Sequence, residues 1–203
     1  MVRRFLDEVR RSSCVKTPAF FDAWAKTYDE EVAESGYAAP RRCARALAAA
    51  MTERDRPVLD LGCGTGLSGV ALRAEGFSII DGWDPSSEML ARAEARNVYR
   101  VLRQIEADRP LTAAPGSYIA VVAVGVFSPG MAPPEAMDQV FQILASGGYF
   151  CFSLNDHAIS HSAYEGRVKE ITDAGGAQVI SHDYGDHLRN ENFNSTVYVL
   201  KKT

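Results

Sequence analysis

Two spacings of apolar residues alternate along this chain, and each change of spacing marks a new element. Short strand-like segments recur at 58–61, 77–83, 99–105, 119–126 and 149–154. The first and fourth are almost wholly apolar, too short for helices, and require strands buried on both faces. Helical spacing separates them: 67–74, then 86–96. A third helix runs from about Pro134, with Met137, Val140, Phe141 and Leu144 inward and Gly147-Gly148 as its stop, and a fourth has Tyr164, Val168 and Ile171 inward and ends near Gly175. Two last strands, near 178–182 and 196–200, complete the series. Strands alternating with helices predict a doubly wound α/β fold with a mostly parallel, seven-stranded sheet.

Ahead of the first strand, Phe21, Trp24, Ala25, Tyr28 and Val32 share one helical face from Pro18 onward. Pro40 opens another helix where its missing N–H costs nothing, with Cys43, Leu47, Ala50 and Met51 inward. Residues 1–17, with four arginines before Cys14, read as a flexible basic terminus without assigned function. One domain is expected over 1–203, divided into that terminus, a helical lead-in at 18–53 and the core fold at 54–203.

Bulk composition narrows the function classes. With 46% hydrophobic and 24% charged residues over 203 positions, the chain can bury a sizeable core and shows no bias toward disorder. A net charge of -4 argues against nonspecific nucleic-acid binding, which needs a basic face. Cys14, Cys43, Cys63 and Cys151 form no C-x-x-C pair, so neither a zinc site nor a disulfide framework is expected, and free thiols suit a reducing cytosol. No apolar run approaches membrane-helix length, and the terminus lacks the apolar centre of a secretion signal. A cytoplasmic protein with no membrane, nucleic-acid or metal partner is expected; oligomeric state is not legible.

The chemistry concentrates where the first strand ends, in Val58-Leu59-Asp60-Leu61-Gly62-Cys63-Gly64-Thr65-Gly66. Without Cβ atoms, Gly62, Gly64 and Gly66 can take positive φ and let a ligand lie on the backbone, while the next helix offers free N–H groups to a polar or anionic ligand. The spacing is G-x-G-x-G, narrower than the dinucleotide G-x-G-x-x-G. The second strand ends on Asp84, where an acid can bind ribose hydroxyls, so two acids stand at adjacent strand tips.

VLDLGCGTG at 58–66 and GWDPSSEML at 82–90 resemble the first two motifs of the class I S-adenosylmethionine-dependent methyltransferases. Phe21-Asp22-Ala23-Trp24-Ala25-Lys26-Thr27-Tyr28-Asp29, with Gly36-Tyr37-Ala38-Ala39-Pro40, is similar to the lead-in of the Williams–Beuren-region methyltransferase-like branch. The resemblance covers the chain from about Phe20 onward and implies a Rossmann-like fold ending in a reversed hairpin. It implies S-adenosylmethionine as cofactor, held by Asp60, Leu61, Gly62, Cys63, Gly64, Gly66, Asp84 and Pro85. By the same resemblance Met89 lies against adenine, Ile105 and Glu106 meet the ring through an amide and a carboxylate, and Val124 sits beside the cofactor. Asp108 competes with Glu106 for that role. The resemblance also implies that Tyr28 caps the methionine end, with a ring to exclude water and a hydroxyl to bond a carboxylate. The chain departs from the pattern at Tyr118-Ile119, where relatives commonly have Tyr-Asp.

An acceptor pocket is expected among Tyr37, Phe127, Asn155 and His157, and His157 or His161 can serve as base if the acceptor must lose a proton. Ser128-Pro129-Gly130-Met131 stands where amino-directed DNA methyltransferases carry an Asn-Pro-Pro-Tyr tetrad, and no recognition insert is legible, so a small-molecule acceptor is expected. Two other readings stay open: a non-catalytic sensor of S-adenosylmethionine or S-adenosylhomocysteine, and a nicotinamide oxidoreductase, which needs the wider glycine spacing. A serine hydrolase would need a G-x-S-x-G elbow, which is absent.

Overall fold

The computed structural model describes residues 5–11 and 15–203. Cys14 and two of the arginines of the basic terminus, Arg3 and Arg4, lie outside the described residues. The lead-in contains α1 (Phe5–Arg11), α2 (Pro18–Trp24), α3 (Tyr28–Glu34) and α4 (Ala39–Ala50). After it come β1 (Val58–Leu61), α5 (Leu67–Ala74), β2 (Ile80–Asp84), α6 (Ser87–Glu94), β3 (Val101–Gln104), β4 (Tyr118–Ala123) and α7 (Ala136–Ile143). The chain ends with β5 (Leu144–Asn155), α8 (Asp156–Ser160), α9 (Ser162–Asp173), β6 (Ala177–Leu188) and β7 (Phe193–Lys202). The seven strands form one sheet in the order β3-β2-β1-β4-β5-β7-β6, parallel except for β7, which runs against both of its neighbours. This is the expected doubly wound sheet with its reversed hairpin.

Strand geometry explains why the central segments are apolar throughout. Successive residues of β1, β4 and β5 face opposite sides, and both sides are covered by helices. Leu59, Val121, Phe150 and Phe152 pack with Met137, Val140 and Ile143 of α7 and Tyr164 and Val168 of α9. Val58, Ala120, Val122 and Cys151 pack with Cys43 and Leu47 of α4 and Ala71 and Leu72 of α5. A third cluster joins the lead-in to the sheet edge: Leu6, Trp24 and Val32 meet Met89 and Leu188.

Four differences from the sequence expectations have physical causes. The apolar face of 18–34 is two helices rather than one, broken at 25–27, which brings the Trp24 and Tyr28 rings edge-to-face at 4.6 Å. Part of the basic terminus is ordered as α1, where Leu6 is buried and its N–H donates to Glu31 Oε2 at 3.0 Å. Gly147 and Gly148 do not stop a helix. They lie inside β5, where a register shift between Tyr118 and Ala120 of β4 absorbs extra residues, and a Cβ on Gly148 would meet two carbonyl oxygens at 2.8 Å. The last two strands are longer than expected, and β6 carries bulges near Ile180 and His187. Among the described residues no helix is long and apolar enough to cross a membrane.

Candidate functional site

The tips of β1 and β2 meet through the glycine loop. Gly62, Gly64 and Gly66 all take positive φ, at 70°, 52° and 90°, a backbone state that L side chains resist. Gly62 N–H and Cys63 N–H both donate to Trp83 O, at 2.7 and 3.1 Å, folding the loop over the end of β2. A Cβ on Gly62 would strike Val126 Cγ2 at 2.5 Å, whereas one on Gly64 would meet nothing within 4 Å. Gly64 thus marks the open side of the cradle.

Asp84 shapes the same cradle from the second strand. Its Oδ2 accepts from Gly64 N–H and its Oδ1 from Ser86 N–H, each at 2.8 Å. Asp60 is fully buried; its Oδ2 accepts from Ser68 Oγ at 2.6 Å and Tyr99 Oη at 2.7 Å, and its Oδ1 has no partner. Burial pushes both carboxyls up to about 6, against the lowering effect of the hydrogen bonds each accepts. An unpaired buried acceptor costs on the order of 1–3 kcal/mol, so a donor reaching Asp60 Oδ1 would be stabilising.

Tyr99 is a site residue that the sequence did not disclose. Its ring fills a hollow left by Gly69 and Gly82, whose added Cβ atoms would fall 2.3 and 2.9 Å from it, and its hydroxyl accepts from Gly69 N–H at 3.2 Å while donating to Asp60. The available signal was two glycines, one inside a helix and one inside a strand, where glycine is otherwise unfavourable. Tyr99→Phe is expected to lower stability by about 1–2 kcal/mol, and Gly69→Ala by more, since the tyrosine must leave its hollow; thermal denaturation of the ligand-free protein measures both.

Two carboxylates of the lead-in clamp the backs of the two loops. Asp29 accepts from Thr65 Oγ1 at 2.6 Å and pairs with Arg96, whose Nε donates to Thr65 O at 3.2 Å. Asp22 accepts from Ser86 Oγ at 2.6 Å and Glu88 N–H at 3.2 Å. So held, α3 presents Tyr28 beside Tyr37, and burial pushes both phenols up. The Tyr37 hydroxyl lies over the tip of β4, 3.2 Å from where a Cβ on Gly125 would be.

The remaining candidates divide between site, core and rim. Leu61, Cys63 and Val124 are buried at the strand tips, and burial, with Asp60 and Asp84 nearby, pushes the Cys63 thiol up, so it stays protonated. Pro85 O accepts from Gln104 Nε2 at 3.1 Å, and Ile105 N–H donates to Asp84 O at 3.2 Å, which ties β3 to the acid loop. Met89 is buried against the lead-in cluster. Glu106 and Asp108 are both exposed, and Glu106 pairs with Arg109 at 2.7 Å. Phe127 is buried. Ala132 N–H donates to Val126 O at 3.1 Å, closing a turn that drives the Phe127 ring into the core, 5.9 Å from both Phe150 and Phe152.

Asn155 uses Oδ1 to cap α8, accepting from Ala158 N–H at 3.0 Å and Ser128 Oγ at 3.3 Å. His157 and His161 are exposed, and the His157 ring lies 5.2 Å from Phe193. The sequence also left out His187, which is buried beside Tyr37 at 5.2 Å with Nδ1 unpartnered. A separate groove of about 350 Å³, lined by Met51, Arg56, Ile119 and Tyr149, opens at the opposite, amino edge of the sheet.

The cradle fits S-adenosylmethionine: Asp60 Oδ1 lacks a donor, Asp84 can accept ribose hydroxyls, and Gly64 leaves the backbone bare. Comparison with known proteins points the same way. The chain is 33% identical to human methyltransferase-like protein 27 over 162 residues, covering 77% of this chain and 66% of the relative, just under two thirds of its length. Two solved structures share the fold. A Haloferax volcanii methyltransferase, in complex with the Trm112 methyltransferase activator, has a TM-score of 0.68 at 20% identity, with 90% of this chain and 97% of that one covered. A SAM-dependent methyltransferase of Leishmania major has a TM-score of 0.61 at 17% identity, with 79% and 71% covered. A family model described as "Methyltransferase domain" matches residues 34–193, so the chain belongs to the methyltransferase domain family, whose cofactor is S-adenosylmethionine.

Proposed function

We propose that this chain is a cytosolic enzyme that moves the methyl group of S-adenosylmethionine to a small-molecule acceptor at the carboxyl edge of β1, β4 and β5. The observation that carries the reading is the pair of buried acids at adjacent strand tips, one with an unpartnered oxygen, around a loop with an open glycine. The cofactor supplies a methyl group already activated on a sulfonium, so the protein need not provide a nucleophile. What its residues contribute is position and dryness. Asp84 is to hold the ribose hydroxyls and Asp60 a donor of the cofactor, while Tyr28 and Tyr37 close the edge above Gly125 against water. The small-molecule assignment rests on the missing DNA-directed tetrad and recognition insert, the cytosolic one on the unpaired thiols of Cys43, Cys63 and Cys151.

Calorimetric titration with S-adenosylmethionine, S-adenosylhomocysteine and NADH tests the reading. Binding of the two sulfur nucleotides and not of NADH is the expected result. Binding without methyl transfer to any acceptor in a broad small-molecule screen would make the protein a sensor, and NADH binding alone would reject the cofactor.

A further inference from the structure

Asp60 is held by side-chain donors that the cofactor reading leaves without a task. Both fall on one oxygen of this fully buried acid: Oδ2 accepts from Ser68 Oγ at 2.6 Å and from Tyr99 Oη at 2.7 Å. The Tyr99 hydroxyl in turn accepts from Gly69 N–H at 3.2 Å, so a chain of donors runs from the first turn of α5 through the phenol to the acid.

Two glycines make room for this arrangement. A Cβ on Gly69 would fall 2.3 Å from the Tyr99 hydroxyl oxygen, and one on Gly82 would fall 2.9 Å from the ring. Neither takes positive φ, so no turn requires them, and each weakens the helix or strand that contains it. Tyr99 is what they accommodate. A phenylalanine ring would fill the same hollow, so packing alone does not account for the hydroxyl.

The titratable groups that face Asp60 come from several elements. Asp84, at the tip of β2, opposes a second negative charge. Burial pushes the Cys63 thiol and the Tyr37 and Tyr99 phenols up, so all three stay protonated and neutral, and Tyr99 remains a donor. Arg96, the cation beside the Tyr99 hollow, is taken by Asp29 and Thr65 O. Against burial and Asp84, the hydroxyls of Ser68 and Tyr99 are the side-chain groups that favour the ionised acid.

We propose that Tyr99 and Ser68 are positioning residues of the cofactor site: their hydroxyls hold Asp60 ionised and in one orientation beside the glycine loop, where its charge attracts the ammonium group of S-adenosylmethionine. This deepens the methyltransferase reading and rests on it. Neither residue need touch the cofactor. In a water-poor site a charge acts across intervening atoms, so Asp60 needs no opening of its own.

The test is calorimetric titration of the full chain with S-adenosylhomocysteine from pH 5 to 8, on wild type, Tyr99→Phe and Ser68→Ala. Beside it, 13C magnetic resonance follows the Asp60 carboxyl of the ligand-free proteins, its signal identified by its loss in Asp60→Asn. Each lost hydroxyl should raise the Asp60 titration by about one pH unit above the wild-type value of about 6. Affinity should then lie within about twofold of wild type at pH 8 and about tenfold below it at pH 5. A purely structural loss would weaken binding by the same factor at every pH. A gap that does not change with pH, no gap at pH 5, or an Asp60 titration unmoved by the substitutions would overturn the proposal. If Tyr99→Phe does not fold, Ser68→Ala, which acts on the same oxygen, decides. Failure of the wild type to bind S-adenosylhomocysteine would reject the cofactor reading instead, and the carboxyl titration of the ligand-free chain would continue to test Tyr99 and Ser68.

Discussion

Replacing Asp84 by alanine will weaken S-adenosylmethionine and S-adenosylhomocysteine binding by about a hundredfold or more, the largest effect expected of any single substitution here. The carboxylate has two tasks. It accepts Gly64 N–H and Ser86 N–H, and so sets the distance between the loops after β1 and β2. It also stands where ribose hydroxyls would donate. Hydrogen bonds to a buried charged group are worth about 1.5–3 kcal/mol each, and about 2.7 kcal/mol is a hundredfold in affinity. Asp84→Asn separates the tasks: it keeps one acceptor oxygen but loses the charge, so its affinity should fall between wild type and Asp84→Ala. Calorimetry on all three gives the order. Unchanged affinity in Asp84→Ala would remove this acid from the cofactor site.

Cofactor affinity is also expected to depend on pH below neutrality, rising through about pH 6 and levelling above it. Burial holds the Asp60 and Asp84 carboxyls at about 6, so both are largely ionised at pH 7 and largely protonated at pH 5. Ammonium and hydroxyl donors of the cofactor favour the ionised forms, and binding therefore releases protons. Each carboxylate required for binding should cost about tenfold in affinity per pH unit below its own value. Titrations of S-adenosylhomocysteine at pH 5, 6 and 7, in buffers of different ionisation heat, report both the affinity and the protons released; flat affinity without proton release would mean that neither acid meets the ligand.

The ligand-free protein should respond with the opposite sign. An acid at 3.8 unfolded and about 6 folded binds more protons in the folded state between those values. The stability tied to the protonated acid is fully present below pH 3.8 and lost as pH rises through about 6. His187 works against this. Its value is 6.5 unfolded and about 3 folded, so the stability it contributes above pH 6.5 is lost as pH falls toward 3. Urea denaturation of His187→Phe between pH 4 and 7 should expose the carboxylate effect alone.

Much of the candidate site's backbone geometry was legible because its signals are local. Glycines at alternate positions after a short apolar run state a backbone conformation, and the structure places Gly62, Gly64 and Gly66 at positive φ with Asp60 and Asp84 at the adjoining strand tips. The β1 and α5 boundaries follow from the same local punctuation, and the both-face burial of β4 from its unbroken apolar run. The residues expected on the acceptor side carry weaker local signals. Phe127 lies beyond Gly125, whose φ of 69° reverses the chain, so strand alternation no longer says which way a side chain points. His187 gave no periodic signal, since a bulge breaks the alternation where it stands.

Thus the alternation of strands and helices from β1 onward, the glycine turn and the two acids at the strand tips were determined by the sequence alone, because each depends on residues within a few positions of one another. Only the tertiary structure decided that Tyr99 fills a glycine-lined hollow to hold Asp60, and that Asp22 and Asp29 clamp the lead-in onto the loops. It also decided that His187 faces Tyr37, 150 positions away in the chain. These contacts join segments far apart in sequence, and their partners are chosen by sheet order, register and bulges, which no local pattern encodes.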